Sequence, residues 1–393
     1  MADSPVATQP VPAGPAAADT PPANVAAAAA AAPIVSNSPD VPAPVPVPSV
    51  EPTPIETDDE GSATDDGSTI EERISNYTAS LTSSVVDYPV EYGRRYHAFR
   101  PGSYKFPNDE FEMDRLDLAH AMMVKAVGNR LYRAPLEMEK VHSILDIGTG
   151  TGIWAVEMGD IYENTEITGI DLSAIQPEWV PTNVRFEIDD VESPWVDGKK
   201  YDFIMCRYMV ASIKDWPGLI KNIYNHLNPG GWVEFQDVTT KFYSDDGTFT
   251  DEHATAKWMA SFSEACSAMG RDTDVAPRLG AMIVDAGFEN TYSQRIKAPL
   301  GPWAKERHHQ DVGMMNLMLT MDGLEALSLK LFSELLGRTQ AEILVELAMV
   351  RKELKSGSSG VFHAMFDIYV VYGQKPLTAE SGSESESESE SEG

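Results

Sequence analysis

A chain of 393 residues with 61 acids against 30 bases carries a formal charge of -31, which opposes the basic footprint that phosphate binding requires and argues against direct nucleic-acid contact. Its two cysteines, Cys206 and Cys266, are too few for a disulfide framework or a typical zinc site, so they read as small buried hydrophobes in a reducing compartment and no metal is expected. The length allows one large domain or two small ones, and both ends reduce that estimate.

Residues 1–68 are dominated by Ala, Pro, Val, Ser, Thr and acids without a sustained period, a composition with too little bulky apolar material to offset chain entropy. The Ala26 to Ala32 run is flanked by Pro22 and Pro33, falls far short of the roughly 20 residues that span a bilayer, and has no basic segment before it. Neither a membrane span nor a signal peptide is expected. From Ile70 a polar, helix-like arm begins and then turns aromatic and basic through Tyr88, Tyr92, Arg94, Arg95, Tyr96, His97, Phe99 and Arg100. This pattern fits an arm that packs its rings on the core and exposes its arginines, with direct ligand contact as the competing reading. Past the Pro101-Gly102 break, Asn108 offers an N-cap with Asp109, Glu110 and Glu112 in the first turn. Leu116, His120, Met123 and Val127 then fall at helical spacing, predicting an amphipathic helix to about Tyr132, with His120 as a hydrogen-bonded core residue.

The most informative stretch is Ser143 to Trp154. An apolar strand, Ile144 to Ile147, contains Asp146 and runs into glycines at alternate positions, Gly148, Gly150 and Gly152, before a helix. Such a turn permits close approach of a ligand, and its open N–H groups with the helix dipole favour a polar or anionic one. The spacing is not that of the dinucleotide fingerprint. A second strand, Ile167 to Ile170, ends in Asp171, where a ribose-binding carboxylate belongs; the alternative is that Asp171 caps a helix starting near Ser173. Val184 to Ile188 is a third strand ending in Asp189-Asp190-Val191 at the same edge, a position equally open to a solvated acidic turn. Tyr201 to Cys206 is a fourth, followed by Arg207-Tyr208-Met209; a helix over Leu219 to Leu227 closes with Asn228-Pro229-Gly230-Gly231 before a fifth strand, Trp232 to Phe235.

Farther on, Trp258, Phe262, Ala265 and Met269 predict a helix capped at Gly270, and Leu279 to Ala286 another stopped at Gly287. Phe288 to Ala298 reads as a strand. Asp311 to Leu354 is helical, interrupted at Gly337, with a Thr339/Glu342 capping box and a stripe of Ile343, Leu347, Val350 and Leu354. Ala364 to Tyr372 is a last strand, expected to pair with Phe288 to Ala298 and to leave a helical cap, about 300–360, over the ligand edge. In that cap His308-His309 and the methionines Met314, Met315, Met318 and Met321 draw notice, although a Met stripe is more often core than binding surface. Alternating Ser and Glu from Glu380 to Gly393 should stay solvated. The expected architecture is a doubly wound α/β body over 69–376, with tails at 1–68 and 377–393.

Asp146 to Gly152 with Gly169-Ile170-Asp171 downstream resembles the first two motifs of class I S-adenosylmethionine-dependent methyltransferases, and helix, Asn-Pro-Gly-Gly, strand is a further signature of that kind. The body is similar to fungal LaeA-like methyltransferase-domain proteins of secondary metabolism through Arg94-Arg95-Tyr96-His97, Pro107-Asn108-Asp109-Glu110 with Asp114-Arg115-Leu116-Asp117, and Gly150-Thr151-Gly152-Ile153-Trp154. Thr149 stands where many relatives carry Cys. The resemblance implies a mostly parallel seven-stranded sheet and S-adenosylmethionine as cofactor, held by Asp146, Gly148, Thr149, Gly150, Gly152, Asp171, Leu172, Asp190, Val191 and Arg207. Asp189 competes with Asp190 for the adenine amino group. It further implies methylation of a small-molecule acceptor in the cytoplasm or nucleus; the alternative is a nuclear regulatory subunit with protein partners, acting by protein methylation or without turnover, and a nicotinamide oxidoreductase is the distant third. Methyl transfer mostly requires positioning, so no catalytic residue is assigned, with His97, His308 and Tyr208 the only bases considered for a hydroxyl acceptor.

Overall fold

A computed structural model describes residues 87–196, 198–357 and 362–378. The tail expected over 1–68, the helix-like start of the arm at Ile70 and the Ser/Glu tail from Glu380 lie outside the described residues.

The body is built on strands β1 (Ser143–Ile147), β2 (Glu166–Asp171), β3 (Val184–Ile188), β4 (Tyr201–Arg207), β5 (Leu227–Val238), β6 (Glu289–Pro299) and β7 (Met365–Gln374). They form one sheet in the order β3-β2-β1-β4-β5-β7-β6, parallel except for β7, which runs antiparallel between β5 and β6. The strand order reverses between β1 and β4, the place where ligands of open α/β sheets bind.

Helices α1 (Glu110–Ala126), α2 (Ile153–Ile161), α3 (Trp216–His226), α4 (Ala254–Ala268), α5 (Leu279–Asp285), α6 (Arg307–Ala326), α7 (Leu329–Leu336) and α8 (Gln340–Gly357) cover it. Because side chains alternate along a strand, Ile144 faces Trp154, Met158 and Phe203 while its neighbour Leu145 faces Ile204, Ile220, Ile223 and Phe235. Both faces are therefore packed, as a parallel sheet requires. A further cluster joins α4, α6, α7 and α8 to the end of the sheet, and Ile343, Leu347, Val350 and Leu354 are fully buried in it.

Several boundaries depart from the sequence reading. The described part of the arm is not helical: it is a two-residue-per-strand hairpin, Val90–Glu91 with Arg94–Arg95. The N-cap of α1 is Asp109, whose Oδ1 accepts from Glu112 N at 3.1 Å; Asn108 instead donates to Ser173 Oγ. The helix ends at Ala126, not near Tyr132, because Gly128 turns left-handed at φ 90°. β5 begins at Leu227, so Asn228-Pro229-Gly230-Gly231 lies within the strand, where the β4–β5 register shifts, and does not close the helix. The region from Asp311 to Leu354 breaks at Leu327-Ser328 as well as at Gly337, giving three helices.

Candidate functional site

The carboxyl ends of β1, β2 and β4 meet at one edge, since Ile147 pairs with Ile170 on one side and Cys206 on the other. The glycine turn follows β1. Four of its amides are satisfied within the protein: Gly148 and Thr149 N–H both donate to Ile170 O (2.9 and 3.0 Å), Gly152 N–H to Thr149 O (2.9 Å) and Gly150 N–H to Asp171 Oδ2 (2.9 Å). Free donors are thus not found at those four positions, and the expectation of open N–H groups is left to Thr151 and the first turn of α2. All three glycines have positive φ, but their surroundings differ. A Cβ at Gly148 would strike Met209, and one at Gly152 would enter the Phe186 ring, whereas one at Gly150 would stand in the cavity with only Leu116 Cδ1 near, at 3.6 Å.

Asp171 ends β2 with both carboxylate oxygens engaged, Oδ2 by Gly150 N–H and Oδ1 by Ser173 N–H at 2.9 Å. No helix begins near Ser173, so the helix-cap alternative is removed; the Ser173 bond is a two-residue turn. Burial pushes the carboxyl up to about 6 against the lowering effect of those N–H donors. Asp146 is deeper, 4% exposed, takes a 2.6 Å bond from the Thr149 hydroxyl, and is likewise raised to about 6 by burial. Beyond β3, Asp190 is held by Arg100 at 2.7 Å and by Glu192 N–H at 3.0 Å, while the exposed Asp189 caps Asp190 N–H at 2.7 Å.

Arg207 closes β4. Its Nη2 donates to His120 Nδ1 at 2.7 Å, so His120 carries its proton on Nε2 and gives it to Glu157 at 3.1 Å. Burial lowers the pKa of His120, consistent with that neutral form. Nη1 of Arg207 is buried without an acceptor. Such an atom is costly to leave unpaired. Tyr208 and Ala211 then adopt left-handed φ of 59° and 63°, a strain held by Asp237 at the end of β5, which accepts from Met209 and Val238 N–H (3.0 and 2.9 Å). Asp237 is 1% exposed and burial raises its carboxyl to about 7.

Part of this edge borders a cavity of about 240 Å³. Of the residues expected at the site, Gly148, Gly150, Asp171, Leu172, Asp190, Val191 and Arg207 line it; Asp146, Thr149 and Gly152 lie behind it and support the turn. Its far half is aromatic, with Phe106 ahead of α1, Phe242 after β5, Trp258 and Phe262 of α4 and Phe366 of β7 beside Asn316, Leu319 and Thr320 of the cap. The sequence reading missed these. The methionine stripe is not part of the wall: Met314 and Met318 are exposed, Met315 and Met321 pack on the core, and His308 does not reach the cavity. His97 is buried against Ser103 and also stays outside.

The aromatic and basic segment 88–108 straps across the opening. Tyr88 donates to Ala174 O, Arg100 pairs with Asp190, and Arg271 reaches Ser103 O, while Lys105 pairs with Glu334 and Lys330 with Glu91. Arg94 and Arg95 are not exposed as expected; they bond Asp109, Asn108 and Glu110.

A family profile described as a methyltransferase domain matches residues 101–292. Methyltransferase pytC of Aspergillus terreus is 46% identical over 298 residues, covering 76% of this chain and 91% of that one. Secondary metabolism regulator LAE1 of Cochliobolus heterostrophus is 39% identical over 61% of this chain and 80% of its own. Protein-methionine methyltransferase laeA of Emericella nidulans is 33% identical over 76% of this chain and 79% of its own. With the strand order, the glycine turn and its acidic strand ends already in place, these matches establish that the chain belongs to the methyltransferase-domain family that includes pytC and the LaeA-type regulators.

Proposed function

We propose that this protein binds S-adenosylmethionine along the edge of β1, β2 and β4 and methylates a small molecule held in the aromatic half of the same cavity. The residues present fit the cofactor. Asp171 lines the cavity with a carboxylate positioned for ribose hydroxyls, Ile170, Leu172 and Val191 offer apolar surface beside Asp189 and Asp190 for the base, and Gly150 leaves room that a Cβ would fill. The orphaned Nη1 of Arg207 suits the carboxylate of the amino-acid end. When bound, the cofactor supplies an electrophilic methyl carbon that an acceptor lone pair takes in line, the carbon–sulfur electron pair leaving with sulfur. The chain's own part is to orient and to exclude water, which is how a displacement of this kind is accelerated.

The observation that carries this reading is the continuity of one cavity from the glycine turn to an aromatic chamber closed by the cap and strap. A chamber of this kind suits a compact apolar acceptor. The relatives named as regulators favour a second reading, a cofactor-binding regulator in the nucleus with protein partners. Incubation with methyl-labelled S-adenosylmethionine, a fungal metabolite extract and a protein lysate distinguishes them: label in the small-molecule fraction supports the first reading, and label confined to protein, or none, overturns it.

A further inference from the structure

On α1 lies a buried ion pair for which neither cofactor binding nor packing accounts. Arg115 and Glu112 are 7% and 1% exposed, one helical turn apart, and joined by two bonds, Nε to Oε2 at 2.9 Å and Nη2 to Oε1 at 2.5 Å. Such a pair is weak as a source of stability compared with apolar residues of the same size. It packs closely on α6, where a Cβ at Gly323 would stand 3.4 Å from Arg115 Cδ. Arg115 lines the cavity, and among the described residues no acceptor bonds its Nη1. Leu116 beside it on α1 lines the same cavity and is the side chain nearest the Gly150 Cβ position.

Two phenols share this place. Tyr104 from the strap and Tyr208 after β4 both line the cavity, both feel the Arg115 charge together with the opposing charge of Glu112, which is the stronger of the two at Tyr104, and neither hydroxyl has a protein hydrogen-bond partner among the described residues. Burial raises both phenols, which keeps them protonated donors at neutral pH and not bases. No histidine lines the cavity, and its carboxylates, Asp171, Asp189, Asp190 and Glu192, belong to the sheet edge.

We propose that Arg115, fixed by Glu112, forms with the hydroxyls of Tyr104 and Tyr208 an oxyanion-binding site, and that the methyl acceptor is a compound with an acidic hydroxyl, a phenol or an enol, bound as its anion. This rests on the methyltransferase reading and names its substrate class. Ionised oxygen is the competent nucleophile, and an acidic hydroxyl loses its proton to water on binding, so the absence of a base from the chamber is no obstacle. Three fixed donors stabilise the charge in a site shielded from water. Glu112 cancels the guanidinium's net charge, so the cationic methyl donor is not repelled while the N–H donors remain.

The probe is 4-nitrophenol, whose absorbance separates phenol from phenolate, titrated with pH in the presence of excess full-length protein. The bound probe is expected to ionise at least one pH unit below the free probe, about a tenfold preference for the anion. The double variant Glu112→Gln/Arg115→Met should abolish the shift, and Tyr104→Phe/Tyr208→Phe should reduce it. The proposal is overturned if the probe fails to bind, if its titration is unmoved or rises, or if the tyrosine variant shifts it as the wild type does; that last arm decides the matter should the α1 variant not fold. S-adenosylmethionine titration of the same samples keeps the two claims apart: cofactor binding with an unmoved probe refutes only the oxyanion site, and a shifted probe without cofactor binding refutes only the methyltransferase reading.

Discussion

At Asp171 the two oxygens already hold the backbone of the glycine turn and of Ser173, and in the proposed reading its remaining lone pairs are those offered to ribose hydroxyls. Asp171→Asn replaces one acceptor by a donor facing an N–H and removes the charge. Affinity for S-adenosylmethionine is expected to fall by about 1.5–3 kcal/mol, roughly ten- to a hundredfold, in a calorimetric titration. Because burial raises this carboxyl to about 6, wild-type affinity should also climb between pH 5 and pH 7 as the group ionises, and the asparagine variant should lack that climb. The glycines of the turn separate in the same way. Gly150→Ala takes its side chain into the cavity and is expected to lose cofactor affinity with a stability cost of about 1–2 kcal/mol from its left-handed φ. Gly152→Ala drives a methyl into the Phe186 ring and should lower stability by about 2–4 kcal/mol, read as the shift in a denaturant midpoint.

Among the elements, α1 ties the strap to the body through Asp109, which caps the helix and receives both Arg94 nitrogens. Asp109→Ala removes the cap and leaves a half-buried guanidinium unpaired, an expected loss of about 2–4 kcal/mol in a denaturant titration. The sequence marked the start of this helix and the strands β1 to β4 within a residue or two, because apolar alternation and glycine turns are local signals. The Thr339/Glu342 box was equally legible, and its reciprocal bonds are present at 2.8 and 3.3 Å. What local pattern does not carry is which helix face meets a cavity. Trp258 and Phe262 show only helical spacing in the sequence and are both core and wall, and Met314 and Met318 belong to a stripe more often core yet face outward. Arg115 enters the sequence reading only through the Asp114-Arg115-Leu116-Asp117 motif, and its setting depends on Glu112, Tyr104 and Tyr208 arriving from three segments.

Four carboxylates raised by burial, Asp146, Asp171, Glu234 and Asp237, give the whole molecule a pH signature. Asp146 and Asp171 are raised to about 6 and Asp237 to about 7, all by burial. The folded chain therefore holds protons that the unfolded chain releases near pH 4, so their contribution to stability is full below about pH 4 and is lost as pH rises through 6 to 7. Melting temperatures of the ligand-free protein are expected to decline across that window from these groups, and replacing Asp237 by Asn should flatten the decline. We also propose that the folded unit is the 69–376 body; deleting 1–68 and 380–393 is expected to leave the melting temperature and cofactor affinity unchanged, since those compositions hold too few bulky apolar residues to build a core. The whole account stands most directly on calorimetric titration of the full-length protein with S-adenosylmethionine and, in parallel, with NAD. Saturable one-site binding of S-adenosylmethionine with no heat from NAD is the predicted result; NAD binding, or no saturable binding of S-adenosylmethionine, would contradict it.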